Sequence, residues 1–96
     1  MTTVSKPVIT PSDGSGSHKT GELTNITVAQ ITSILGFGPN LPGGDGKVVN
    51  EWGFTCDGKE GAVWDWKGSE RFNQFSTWGD DKMLANLFGS KYRKYR

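Results

Sequence analysis

Glu51 and Asp65 form the carboxylate pair in this sequence with the strongest claim on chemistry. Two facing acids can divide acid and base work at a glycosidic bond. Both lie in alternating segments and are expected on one sheet face, with Glu51 opposite Lys67. A wet polar face explains such alternation without catalysis. Cys56 is the single thiol, and a nucleophilic Cys needs a base. The only histidine, His18, stands 38 positions away. Cys56 continues the apolar alternation of Trp52 and Phe54, which reads as core. One His and one Cys cannot cluster as zinc ligands, and the acids lack the spacing of a calcium loop. No metal and no cofactor is expected. Gly14-Ser15-Gly16-Ser17-His18-Lys19-Thr20 resembles a phosphate loop only in part. His18 replaces the glycine before the lysine, Asp13 takes the first glycine position, and no strand precedes them. Lys19-Thr20-Gly21 matches one fragment of a penicillin-binding set without its S-x-x-K. Nothing here assembles an enzyme.

The aromatic and basic residues carry more. All 11 aromatics of the 96-residue chain lie at or after Phe37. Trp52, Phe54, Trp64 and Trp66 alternate and are expected in the core. Trp78, at a strand end beside Gly79, is the expected exposed anchor for a protein partner. Asn40 and Leu41, in a glycine-rich loop over 38–47, join it as candidate partner-binding residues. The last six residues, Lys91-Tyr92-Arg93-Lys94-Tyr95-Arg96, carry four positive charges and no acid. Lys and Arg can meet phosphates while Tyr stacks on bases. A merely solvated tail is the alternative. Without those six residues, seven bases face ten acids, so residues 1–90 carry −3 although the whole chain carries +1.

These residues need elements to position them. Residues 1–22 hold Pro7, Pro11, Gly14, Gly16 and Gly21 with no apolar period, and are expected to be a disordered leader. Thr27 with Gln30 forms a capping box, and Ile26 with Ile31 a staple, opening a helix. Ile31, Ile34 and Leu35 share its apolar side, and Gly36 ends it. Val48–Cys56 and 62–67 read as strands. A two-residue Asp57-Gly58 turn would pair Cys56 with Lys59. A longer loop pairing Cys56 with Ala62 stacks Phe54 on Trp64 and Trp52 on Trp66, and is preferred because aromatic cross-strand pairs are favourable. Arg71–Trp78 reads as a third, less regular strand. Asp80 and Asp81 open a second helix with Met83, Leu84, Leu87 and Phe88 on its apolar side, and Gly89 stops it.

The expected fold is α+β, a single small domain over 24–90. Its three-stranded antiparallel β-meander and two short helices run in the order α-β-β-β-α, with the helices on the tryptophan face, and 91–96 forms a basic tail. No run approaches the ~20 apolar residues of a membrane span. The lone thiol and the absence of an apolar h-region in Met1–Pro7 imply the cytoplasm and no secretion.

Ile34-Leu35-Gly36-Phe37-Gly38-Pro39-Asn40, Trp52-Gly53-Phe54-Thr55, Asp57-Gly58, Trp64-Asp65-Trp66-Lys67-Gly68-Ser69, Phe75-Ser76-Thr77-Trp78-Gly79 and Leu87-Phe88-Gly89 together resemble small uncharacterised proteins of tailed bacteriophages. The resemblance covers about two thirds of the chain and brings no activity with it. It implies a phage accessory protein in a bacterial host cytoplasm, or a minor virion part. The expectation is a non-enzymatic module that binds a host or phage protein through the sheet edge, the 38–47 loop and Trp78. The alternative is a nucleic-acid binder using the tail and an exposed Trp. Self-association of two copies would also hide a leftover apolar face.

Overall fold

Asp57 and Gly58 adopt φ values of 50° and 85°. Two consecutive positive φ angles make the tight hairpin turn whose twist matches that of the flanking strands, and glycine takes such an angle without steric cost. The computed structural model, which describes residues 8–12, 19–41, 50–65 and 68–94, therefore joins strand β3 (Glu51–Cys56) to β4 (Lys59–Trp64) by two residues. Cys56 stands opposite Lys59, Phe54 opposite Gly61, Trp52 opposite Val63 and Glu51 opposite Trp64. The preferred longer loop is thus incorrect. Phe54 does not need an aromatic partner, because its ring lies over Gly61, where an added Cβ would come within 2.7 Å of it.

The meander continues into β5 (Phe75–Gly79), which pairs Ala62 with Trp78 and Trp64 with Ser76. Arg71 and Phe72, expected to begin this strand, belong instead to a 3-10 turn over Ser69–Phe72. The sheet does not stop at three strands. β1 (Ile9–Pro11) pairs with β3, β2 (Gly21–Leu23) pairs with β5, and β6 (Tyr92–Lys94) pairs with β2. The three-stranded sheet and its α-β-β-β-α order are corrected to six antiparallel strands in the order β1-β3-β4-β5-β2-β6. The class remains α+β. The added strands come from the stretches expected to be leader and tail. Each has three residues, too few to show a period, and each is held by ladder bonds to residues far away in sequence.

Both helices follow the local chemistry of their ends. Helix α1 (Val28–Leu35) has Thr27 as N-cap, with the reciprocal Thr27–Gln30 capping box closed and Gly36 as the left-handed C-cap. Helix α2 (Asp81–Phe88) is capped by Asp80, whose carboxylate accepts from the Met83 N–H at 2.9 Å, and Gly89 caps its end. Ile31 and Leu35 from α1 and Met83, Leu84 and Phe88 from α2 belong to one core cluster with Trp52, Phe54, Cys56, Val63, Phe75 and Leu23. Trp52 meets Phe75 edge to face at 6.0 Å, and its indole N–H donates to the Phe37 carbonyl at 3.1 Å.

Among the described residues the core holds one polar flaw. Thr77 is fully buried and its hydroxyl has no hydrogen-bond partner among the described residues. Replacing it with the near-isostere in Thr77→Val removes an unmet polar group and should raise stability by about 1 kcal/mol, read from the urea midpoint. The Asp80 cap gives a second expectation. The Met83 N–H, then Lys59, holds its carboxyl below the usual range. A depressed pKa gives stability that is present above the unfolded value and is lost as pH falls through the folded one. Asp80→Asn keeps a capping acceptor, so its Tm should fall less steeply than that of the native chain below about pH 4.

Candidate functional site

In antiparallel strands, directly opposed residues share a face. The register therefore sorts the sheet into two sides. Trp52, Phe54, Cys56, Val63, Phe75 and Leu23 point to the helices. The other side, which neither helix covers, carries a row formed by Glu51, Trp64, Ser76, Glu22 and Arg93 across β3, β4, β5, β2 and β6. A second row on this side runs Gly53, Ala62, Trp78. Ala62 is fully buried although it faces away from the helices, while Trp64 and Trp78 are partly exposed. The two indoles are diagonal neighbours, about 7 Å apart at Cβ by strand geometry. An open depression of about 520 Å³ lies at Trp78, lined by Thr20, Lys59, Glu60, Gly79 and Asp80.

The charges on this side are mainly negative. Among the described residues, Glu22, Glu51 and Glu60 stand here with two bases, Arg93 and Lys19. Lys19 reaches Glu22 at 3.8 Å. Burial raises the pKa of the Glu51 carboxyl above the ordinary carboxylate value. The expected Glu51–Asp65 pair does not form across one face. Trp64 takes the place opposite Glu51, and the buried Asp65 accepts from the Asn50 N–H at 3.0 Å and from its side-chain amide at 2.9 Å. Lys67 and Trp66 lie outside the described residues.

The candidate residues named from sequence separate. Trp78 stands on the open side. Asn40 instead closes the outer edge of β3 beyond β1. Its amide donates to the carbonyls of Ser12 and Gly53, each at 3.1 Å, and its oxygen accepts from the Gly53 N–H at 3.0 Å. Leu41 continues this cover, its N–H donating to the Glu51 carbonyl at 3.1 Å. Within the tail, Lys91 donates to the Asn25 carbonyl at 2.6 Å and Tyr92 to the Asp81 carboxylate at 2.7 Å. Burial, then that bond, pushes the Tyr92 phenol pKa upward. Arg93 and Lys94 are exposed on β6, and Tyr95 and Arg96 lie outside the described residues. Sequence reasoning put Glu51 on the polar face but missed Trp64 as its partly exposed neighbour there. The Asp57-Gly58 dipeptide was the signal that could have placed Trp64.

The remaining candidates for catalytic and metal chemistry stay apart among the described residues. Cys56 is 4% exposed, and its thiol pKa is raised by burial and by the charge of Asp57. His18 lies outside the described residues. Among the described residues no three of His, Cys, Asp and Glu come together as a metal site. No described helix is long and apolar enough to cross a membrane. Comparison with protein-family models, with curated proteins and with solved structures gives no match.

Asn40 should act on stability. Asn40→Ala leaves the buried Gly53 N–H without its acceptor. The expected cost is about 1–3 kcal/mol in urea unfolding, with faster hydrogen exchange at the Gly53 amide. An unchanged midpoint and unchanged exchange would place this amide outside the β3 edge.

Proposed function

We propose that the chain is a non-enzymatic protein-binding module whose contact surface is the open side of the sheet, with Trp64 and Trp78 as anchors. The observation that carries this reading is the pair of neighbouring, partly exposed tryptophans on the side the helices leave uncovered. Tryptophan is the residue most enriched where a few side chains supply most of the binding energy. The sheet edges offer less. β1 has three residues and ends at Pro11, and β6 carries Arg93 and Lys94. Short edge strands, prolines and basic residues are devices against strand addition. Nucleic acid is the weaker reading, because the open side holds three glutamates and because Lys91 and Tyr92 already bond within the domain. In the setting that the bacteriophage resemblance implies, the partner is a host or phage protein of the bacterial cytoplasm.

Affinity capture from infected or expressing cells, with nuclease treatment, tests the proposal. Native protein should retain protein partners after nuclease. A Trp64→Ser/Trp78→Ser variant should lose at least about tenfold in affinity for them, as loss of hot-spot tryptophans implies. Retention of the Trp52 indole signal in NMR spectra would establish that the variant is folded. Partners that vanish with nuclease, or that bind the folded variant equally well, would overturn the reading.

A further inference from the structure

We infer that Trp64 and Glu51 together seat a cationic side chain, Arg or Lys, on an extended segment of the partner protein. This rests on the protein-binding reading of the open side and adds the chemistry of the partner. Asn50 and Asp65 bond through the backbone, the Asp65 N–H donating to the Asn50 carbonyl at 3.1 Å. The next pair inward, Glu51 and Trp64, is therefore a non-hydrogen-bonded pair, the kind in which side chains stand closest. A carboxylate thus lies beside an indole that is partly open to solvent.

Glu51 also lacks what a half-buried carboxylate normally has. Its backbone carbonyl takes the Asn40 and Leu41 N–H groups, but its side chain has no cation partner among the described residues. Its partial burial costs hydration that no cation among the described residues replaces, and burial accordingly raises its pKa. A guanidinium or ammonium group on the Trp64 face would restore that loss and add attraction to the ring. Charge complementarity points the same way beside Trp64, since Glu60 stands on the same side, while the bases Arg93 and Lys19 lie at Glu22.

Spacing favours an extended occupant. Alternate side chains of a strand recur about every 6.8 Å. That matches the diagonal between Trp64 and Trp78. A cation at one position of the partner would meet Trp64 and Glu51, while the residue two along would rest on Trp78 above the Thr20–Glu60 depression.

The test uses the full chain and two blocked pentapeptides, acetyl-Gly-Arg-Gly-Leu-Gly-amide and its Arg→Gln counterpart, with NMR as the readout. The arginine peptide should shift the Trp64 indole and the Glu51 side chain, and should bind at least about threefold tighter than the glutamine peptide. Glu51→Gln should remove that difference without unfolding the protein, while Arg93→Ala should leave it intact. Equal binding of both peptides, no binding in the millimolar range, or an unchanged preference in Glu51→Gln would overturn the inference. So would displacement of the peptide by oligothymidine, which would point to nucleic acid. These outcomes are separable from failure of the broader reading. If Trp64→Ser/Trp78→Ser abolishes nuclease-resistant capture but Glu51→Gln changes nothing, the open side binds protein without a cation seat.

Discussion

The arrangement of this domain depends on the backbone of two residues. Asp57 and Gly58 turn the chain through consecutive positive φ angles, and that choice sets the register of β3 on β4. Side chains alternate with a period of two, so moving the pairing by one residue would exchange the two faces. In the register that forms, Trp52 and Phe54 go to the core and Trp64 goes to the opposite side. The core is then completed by small and medium residues opposite the large ones. Gly61 lies beneath Phe54 and Val63 beside Trp52.

The helices were legible in the sequence because their signals are local. A capping box at Thr27 and Gln30, an acidic cap at Asp80 and glycines at 36 and 89 each act within a turn of chain. The hairpin was legible too, but it was misread. Cross-strand aromatic pairs are each worth only about 0.2–1 kcal/mol, and a turn whose two central residues both accept positive φ removes a longer loop's ordering cost. The strands Ile9–Pro11, Gly21–Leu23 and Tyr92–Lys94 could not be read locally. Three residues show no alternation, and their stability comes from partners up to dozens of positions away, such as Leu23 with both Phe75 and Tyr92.

The site was legible in the same uneven way. Trp78 could be singled out as a surface candidate from its position beside Gly79, and it is partly exposed. Trp64 could not, because its face follows from the register. Asn40 was picked out as a contact residue from its loop composition, whereas its amide finishes the β3 edge beyond the reach of β1. Within the basic tail, Tyr92–Lys94 form a sixth strand, and Lys91 and Tyr92 have carbonyl and carboxylate partners at Asn25 and Asp81. With one edge ended at Pro11 and the other basic, the broad side of the sheet is the surface we propose for recognition.

The most direct test of this account is the accessibility of the individual tryptophans. Protein labelled with 5-fluorotryptophan, its resonances assigned by single substitutions, would be titrated with a soluble gadolinium chelate. The account predicts strong broadening of Trp64 and Trp78 and little at Trp52. A Trp64 resonance as well protected as that of Trp52 would contradict it, because it would return Trp64 to the core face and remove the proposed surface.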